Sequence, residues 1–535
     1  MNNRITRLKE TLLSSYGKQK DVWCNFEMAD KYFRNRNKKD DFHTLSDKTC
    51  NDLDFQELFM FTDRTISKVG QQYLYNTLRT IPPDGKKVLQ QEEYIRKIDS
   101  DPKLRLKLQV HLDSLSGENA YYISSLFQDE HIKPPKWFFI IRLLSFTALV
   151  SLLTLAFIPQ SLFILLPVCI VNMAIHYWNK RNLNEYVVSI PQLLRLKQVA
   201  RDLMKYDIFS EAAAGVPESI RIIDRVRNRM LFFKLEAKIS GEAQIAFWSM
   251  LEIVKALFLL EPLLLFGVLE QLETKRKEIE NVFVFVGYID SLISIASLRQ
   301  GLGYYCIPEV SVENKILKAD EMYHPLIANC VSNSIATDKK SILLTGSNMS
   351  GKTSFIRTIG INALTALTLN TCFARSFNLS RVKIFSAIRI SDDLMNDKSY
   401  YFEEVLTIKE MIERSQEEDN NLFLLDEIFK GTNTIERISA GKAVLSYLNN
   451  KNSMVFVSTH DIELTDLLDG SYELYHFSEK VDNKTVAFDF ILKVGKLKNR
   501  NAIRILEIND YPEKIISEAI ELSKEFDKNS GKVLK

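Results

Sequence analysis

Along most of the chain apolar and polar positions alternate, but between Trp137 and Trp178 that alternation stops. Leu143 to Ile158 carries no charge, and extending the run back to Trp137 adds only Arg142, giving 22 residues. As helix this run measures about 33 Å, enough to cross the hydrocarbon core of a bilayer. Pro159-Gln160-Ser161 breaks it, and Leu162 to Trp178 supplies a second apolar run of 17 residues. Neither run has a polar face of the kind a soluble core helix presents to water, so the pattern predicts a transmembrane helical hairpin over 137–178. Lys133, Lys136 and Arg142 precede it, Lys180 and Arg181 follow it, and the intervening turn is uncharged. The positive-inside rule then expects a two-pass protein of the cell membrane with both termini cytoplasmic. Trp137, Tyr177 and Trp178 stand where an aromatic belt would lie.

A second apolar stretch, Ile245 to Leu269, is interrupted by Glu252, Lys255 and Glu261 and broken by Pro262. It predicts an amphipathic or buried core helix, not a third span. Between the two, 182–239 reads as charged helix, with Arg221, Arg225, Arg227, Arg229 and Lys234 as its densest basic cluster. Such a cluster is first a solvated helix face and only second a phosphate-contacting patch.

In the C-terminal third the pattern changes to strand, glycine loop, helix. Ser341 to Thr345 reads as a buried strand and Ser354 to Leu369 as helix. Gly346-Ser347-Asn348-Met349-Ser350-Gly351-Lys352-Thr353 lies between them. This is G-x-x-x-x-G-K-T in the context the motif requires. The glycines let backbone N–H groups converge on phosphate oxygens at a helix N-terminus. Lys352 is expected at the β- and γ-phosphates and the Thr353 hydroxyl on Mg2+. The expected ATP-binding residues are Gly346, Ser347, Asn348, Met349, Ser350, Gly351, Lys352, Thr353 and Ser354. A second apolar strand, Leu422 to Leu425, ends in Asp426-Glu427. Asp426 is placed to hold Mg2+ and Glu427 to polarise an attacking water. A third strand, Met454 to Thr459, delivers His460 as a sensor of the γ-phosphate or of that water.

Composition narrows the picture less. Lys plus Arg number 70 against 68 acidic residues, a net charge of +2, so no global positive field advertises nucleic acid. Only 18 of 535 residues are glycine, which favours helix over Gly-rich low complexity. Cys24, Cys50, Cys169, Cys306, Cys330 and Cys372 show neither zinc spacing nor a disulfide framework.

The motifs together resemble the MutS mismatch-repair ATPases. Thr345 to Ser354, T-G-S-N-M-S-G-K-T-S, is similar to that family's T-G-P-N-M-G-G-K-S-T. The likeness continues through Leu424 to Thr434, Ser458 to Thr465, Ser391 to Glu404 and the His-Pro segment Met322 to Leu326. Asp63-Arg64-Thr65 with Gly70 and Leu74 resembles the opening of the family's helical core, and Ile289 to Tyr305 its close. The resemblance implies a composite ATP site in a homodimer, with Ser399 touching the γ-phosphate bound by the other protomer and Gly431 to Thr434 lining the dimer contact. ATP binding would draw the two ATPase domains together and hydrolysis would release them.

The sequence also departs from the family. About forty residues precede the helical core, too few for the mismatch-reading domain whose Phe-x-Glu wedges into DNA. Phe55-Gln56-Glu57 fits those letters but sits in the amphipathic run Asp54 to Thr62 and reads as helix packing. Cys330 stands where many members offer an aromatic ring to adenine. The expected fold is multidomain: an α-helical MutS-type core with an inserted transmembrane hairpin, then an α/β P-loop domain. Its expected parts are an N-terminal segment (1–44), helical core (45–133), hairpin (137–178), helical core or lever (180–315), ATPase domain (318–510) and C-terminal helix and tail (511–535). The expected function is ATP-dependent DNA binding of the MutS type by a membrane-tethered dimer without wedge-type mismatch reading. The alternative is a membrane-anchored mechanochemical ATPase acting on a protein or lipid partner without DNA. A transporter is disfavoured because the two spans carry no internal ionisable residues that would form a substrate path.

Overall fold

A computed structural model describes residues 2–226, 252–311, 313–337, 339–347, 349–389, 400–450, 452–482, 485–497, 502–509 and 511–533. Arg227, Arg229 and Lys234 of the basic cluster, together with 245–251, lie outside the described residues. The chain divides into two compact units. One comprises 1–40, 62–79 and 89–301, the other 41–61, 80–88 and 302–535. The span expected as the first part of the helical core, 45–133, is thus shared between them.

The first unit is helical. Helix α1 (Lys68–Arg79) packs against α5 (Arg276–Gly301). At their crossing Gly70 is required, because a Cβ there would overlap the Asp290 carboxylate. That carboxylate is fully buried and accepts from Ile66 N (2.9 Å), Ser67 N (2.7 Å) and Ser67 Oγ (2.6 Å). Arg64 N donates to Ser294 Oγ at 2.7 Å. The segment around Asp63 and the one beginning at Ile289, far apart in sequence, therefore close on one another.

The hairpin forms from α2 (Phe138–Thr154), a 3-10 turn at Pro159–Ser161, and α3 (Leu162–Leu203). Its polarity is inverted. Phe139, Phe146, Leu153, Phe157 and Phe163 face outward, while Ser151, Asn172 and His176 are buried. Within Pro159–Trp178 only 17% of the apolar window is buried, against 83% in the equally apolar α5. By that contrast α5 is a core helix, and the hairpin carries apolar surface that the described residues leave uncovered. Helix α3 does not stop at Trp178 but runs on for a further 25 residues. From residue 190 the amphipathic period returns, with Ile190, Leu193, Leu194, Leu196, Val199 and Leu203 buried, so packing carries the helix past Pro191.

The second unit is built on a six-stranded sheet. Its strands are β1 (Ser341–Thr345), β2 (Lys383–Ala387), β3 (Asn421–Asp426), β4 (Ser453–Thr459), β5 (Tyr472–His476) and β6 (Lys493–Val494). The order is β6-β5-β1-β4-β3-β2, and every pairing is parallel except that of the edge strand β6. Strands β1, β3 and β4 are buried throughout, as their continuous apolar runs predict for a sheet covered on both faces. A four-stranded sheet, in the order Glu309–Ser311, Ser376–Ser380, Leu317–Met322 and Asn333–Ala336, completes the unit. Phe55 is buried at the start of helix Phe55–Thr62, in keeping with helix packing.

Candidate functional site

Register assembles the site. Thr345 of β1 pairs with Thr459 of β4, and Asp426 of β3 pairs with Ser458 of β4, so three strand ends meet at one edge of the parallel sheet. Each strand end leads directly into a chemical group: the glycine loop after β1, Glu427 after β3 and His460 after β4. Ligands of open α/β sheets bind at this carboxyl edge.

The loop turns at Gly346 (φ 152°) and Gly351 (φ 106°), with Met349 also left-handed at φ 69°. Gly351 caps helix α6 (Lys352–Leu369), directing that helix's N-terminus into the loop. Lys352 is buried, and its Nζ donates to the carbonyls of Gly346 (2.8 Å) and Ser347 (3.0 Å). Burial lowers its pKa, against the pull of the Glu427 and Asp426 charges. Thr353 Oγ1 donates to Asp426 Oδ2 at 2.7 Å, and Ser458 Oγ hydrogen-bonds Asp426 Oδ1. Ser350 Oγ is buried with no hydrogen-bond partner among the described residues, a polar group left facing the loop's interior. Asn348 lies outside the described residues, as does Ser399 within 390–399.

Glu427 has φ 52° and Phe429 φ 61°, so the chain after β3 makes a strained left-handed turn. Buried Glu404, on helix α7 (Tyr400–Arg414), holds that turn by accepting from Phe429 N. Glu427 Oε1 meets His460 Nε2 at 2.5 Å and its Oε2 meets Lys430 Nζ at 2.8 Å. Burial pushes the Glu427 carboxyl up, but the His460 hydrogen bond and the Lys430 ammonium outweigh it and hold it at about 2. Asp461, next to His460, is clamped by Arg437 in a two-bond fork of 2.8 and 2.6 Å. Asn433 caps helix α8 (Thr434–Leu448) by accepting from Glu436 N, and Ile435 beside it is exposed.

Residue 342 opens a match to the family model of MutS domain V that runs to residue 527. Three DNA mismatch repair proteins named MutS align over the same half. That of Aquifex pyrophilus is 29% identical over 274 residues, 49% of this chain and 32% of that protein. That of Methanosarcina mazei is 26% identical over 277 residues, covering 49% and 30%. That of Staphylococcus aureus (strain MRSA252) is 27% identical over 279 residues, covering 49% and 31%. The C-terminal half of this chain is similar to MutS proteins, and 342–527 matches MutS domain V. The chain spans about a third of the length of the curated MutS relatives it matches.

Within this MutS domain the structure brings together Gly346, Ser347, Ser350, Gly351, Lys352, Thr353, Asp426, Glu427 and His460. Sequence reasoning did not single out four further residues. Lys430 was legible only as the cation three residues after Glu427. Glu404 closes the segment that begins at Ser391, where no role pointed to it. Glu479, which accepts from Ser347 Oγ at 2.7 Å, and Phe490, whose ring a Cβ on Gly351 would meet at 3.3 Å, come from a stretch without a motif. Asn333 fixes the Phe490 backbone, donating to Phe490 O (3.0 Å) and accepting from Leu492 N (2.7 Å).

Proposed function

We propose that this is an ATP-dependent DNA-binding protein of the MutS mismatch-repair type. It is tethered to the cell membrane through 137–178, with both termini cytoplasmic. ATP binding closes a homodimeric clamp through the MutS domains, and hydrolysis reopens it. The observation that carries the reading is the convergence of Lys352, Thr353, Asp426 and Glu427 at the carboxyl edge of one parallel sheet. On binding a triphosphate, Lys352 exchanges two backbone carbonyls for phosphate oxygens. Thr353 Oγ1 and Asp426 Oδ2, hard oxygen donors already 2.7 Å apart, fit Mg2+. A bound Mg2+ supplies charge neutralisation at the β- and γ-phosphates. Glu427 accepts a hydrogen bond from the attacking water and orients it; a carboxylate held at about 2 is a weak base but stays ionised throughout the physiological range. His460 fixes the Glu427 carboxylate from its other side. Phe490 offers an aromatic face for the base where Cys330 does not. Ser399 reaches the partner protomer's γ-phosphate.

The test is direct. Lys352→Ala abolishes ATP binding, whereas Glu427→Ala keeps binding and accumulates a nucleotide-bound dimer. Unchanged hydrolysis in both variants would discard the assignment. DNA binding is tested by its salt dependence: affinity falls steeply between low and physiological salt when several phosphates are neutralised.

A second reading, a membrane-anchored mechanochemical ATPase acting on a protein or lipid partner without DNA, is favoured by the outward apolar surface of the hairpin. Detergent-solubilised protein that binds ATP and dimerises but shows no DNA affinity at low salt selects it.

A further inference from the structure

Residues 252–257 are helical, the chain breaks at Leu259 in the left-handed conformation (φ 49°), and helix α4 (Leu260–Glu273) follows. The contacts of this segment form an ordered ladder against the hairpin. On the way in, Glu252 Oε1 meets His176 Nε2 at 3.1 Å, and the carbonyl of Leu257 accepts from Asn172 Nδ2 at 2.6 Å. Five residues of segment thus match four of α3. At the break, the Phe258 carbonyl accepts from Ser145 Oγ on α2 at 2.7 Å. On the way out, the Phe266 ring meets Phe138 edge-on at 5.1 Å, and the Leu269 carbonyl reaches His131 Nδ1 at 3.1 Å. The segment descends along one hairpin helix and returns along the other. Counted from Trp178 to Asn172 and from Trp137 to Ser145, its turning point lies about 9–12 Å inward of the tryptophan pair.

We propose that 252–273 is a re-entrant helix–break–helix that dips into the lipid alongside the hairpin, its apolar tip against acyl chains. This rests on reading 137–178 as membrane-inserted. A helix break in hydrocarbon is tolerated only where the freed backbone groups find partners, and here the two carbonyls at the break are both taken by buried or half-buried polar side chains of the hairpin. The charges are arranged likewise. Lys255, 1% exposed, pairs with Glu252 (2.8 Å) and Glu261 (3.3 Å), so the groups that interrupted this apolar stretch in sequence face one another and His176 instead of the lipid. Glu252 meets His176 two residues from Trp178, and Lys255 and Glu261 follow inward toward the break, buried and paired with one another. Ile253, by contrast, is two-thirds exposed and continues the hairpin's outward apolar surface.

The full-length protein, reconstituted in phosphatidylcholine–phosphatidylglycerol vesicles, is given a photoreactive benzoylphenylalanine at position 253, at hairpin position 163 or at exposed position 270. All three side chains point outward, so none should disturb packing. Mass spectrometry after irradiation is expected to find lipid adducts at 163 and 253 and none at 270. Adducts at 163 without 253 overturn the re-entrant segment and leave the hairpin intact. Absence of adducts at 163 and 253 alike overturns the membrane reading itself, and labelling at 270 equal to that at 253 overturns the proposed depth.

Discussion

Glu479 Oε2 accepts a 2.7 Å hydrogen bond from the hydroxyl of Ser347, so a largely buried carboxylate leans on the loop built to receive phosphates. Its charge is felt at Lys352, where it opposes the effect of burial. The MutS loops that this one resembles carry proline at the Ser347 position and have no hydroxyl to hold such a partner. The contact sets a negative charge beside the loop proposed to bind the triphosphate.

Glu479→Gln keeps the size and an acceptor for Ser347 while removing the charge. ATP affinity is expected to rise roughly three- to tenfold, about 1 kcal/mol, as one screened like-charge repulsion is removed. Equilibrium binding of a fluorescent ATP analogue checks it. An unchanged Kd would mean that Glu479 swings clear when nucleotide arrives.

Lys430 is one of the two groups that hold Glu427 at about 2. Lys430→Met withdraws a cation from the carboxylate and leaves the burial that pushes it up. The acid limb of the hydrolysis rate is expected to move to higher pH by about one unit, the usual effect of one close opposite charge. A pH–rate profile of wild type and variant reads the displacement. Identical acid limbs would show that Glu427 ionisation does not govern the rate.

The strands and the loop were legible because their signals are local. The apolar runs ending at Thr345, Leu425 and Thr459 predict β1, β3 and β4 to within a residue, and parallel register then dictates that Lys352, Asp426 and His460 share one edge. Glu479 and Phe490 were not legible, since nothing in their neighbourhood distinguishes them until β5 and β6 bring the chain back past the loop. The charged residues of 252–261 pointed to an amphipathic or buried core helix, and Lys255 and Glu261 are indeed buried in a helical segment. A one-dimensional pattern records charges within an apolar run but not that Lys255 neutralises two glutamates in three dimensions. The course of α3 beyond Trp178 was missed because hydropathy marks where an apolar run stops, not where a helix does.

Asp52 shows how the sheet unit recruits residues from far upstream. Fully buried, it accepts from Ser386 Oγ (2.6 Å) in β2 and from Ile388 N (3.0 Å) and Arg389 N (2.7 Å) just past its end. Asp52→Ala leaves two backbone donors and a hydroxyl without this acceptor. A loss of about 3–5 kcal/mol is expected. Chemical denaturation followed through the sheet unit measures it, and a cost below about 1 kcal/mol would mean that water replaces the carboxylate at little expense.

Asp290 gives the helical unit a pH dependence of opposite sign to that of an ordinary paired carboxylate. Burial at the Gly70 crossing raises its carboxyl to about 6, although hydrogen bonds from Ile66 and Ser67 pull the other way. The unfolded chain titrates this group near about 3.9. Because the folded value lies above the unfolded one, the group's contribution is fully present below about pH 4 and is lost as pH rises through about 6. The two-unit difference corresponds to about 3 kcal/mol across that window. Asp290→Asn cannot ionise and should flatten this part of the curve. The difference between wild-type and variant unfolding free energies, followed from about pH 4 to pH 7, isolates the group from all others that titrate alike in both proteins. A difference that stays constant with pH would show that Asp290 is ionised in the fold and that its three donors, not burial, set its charge.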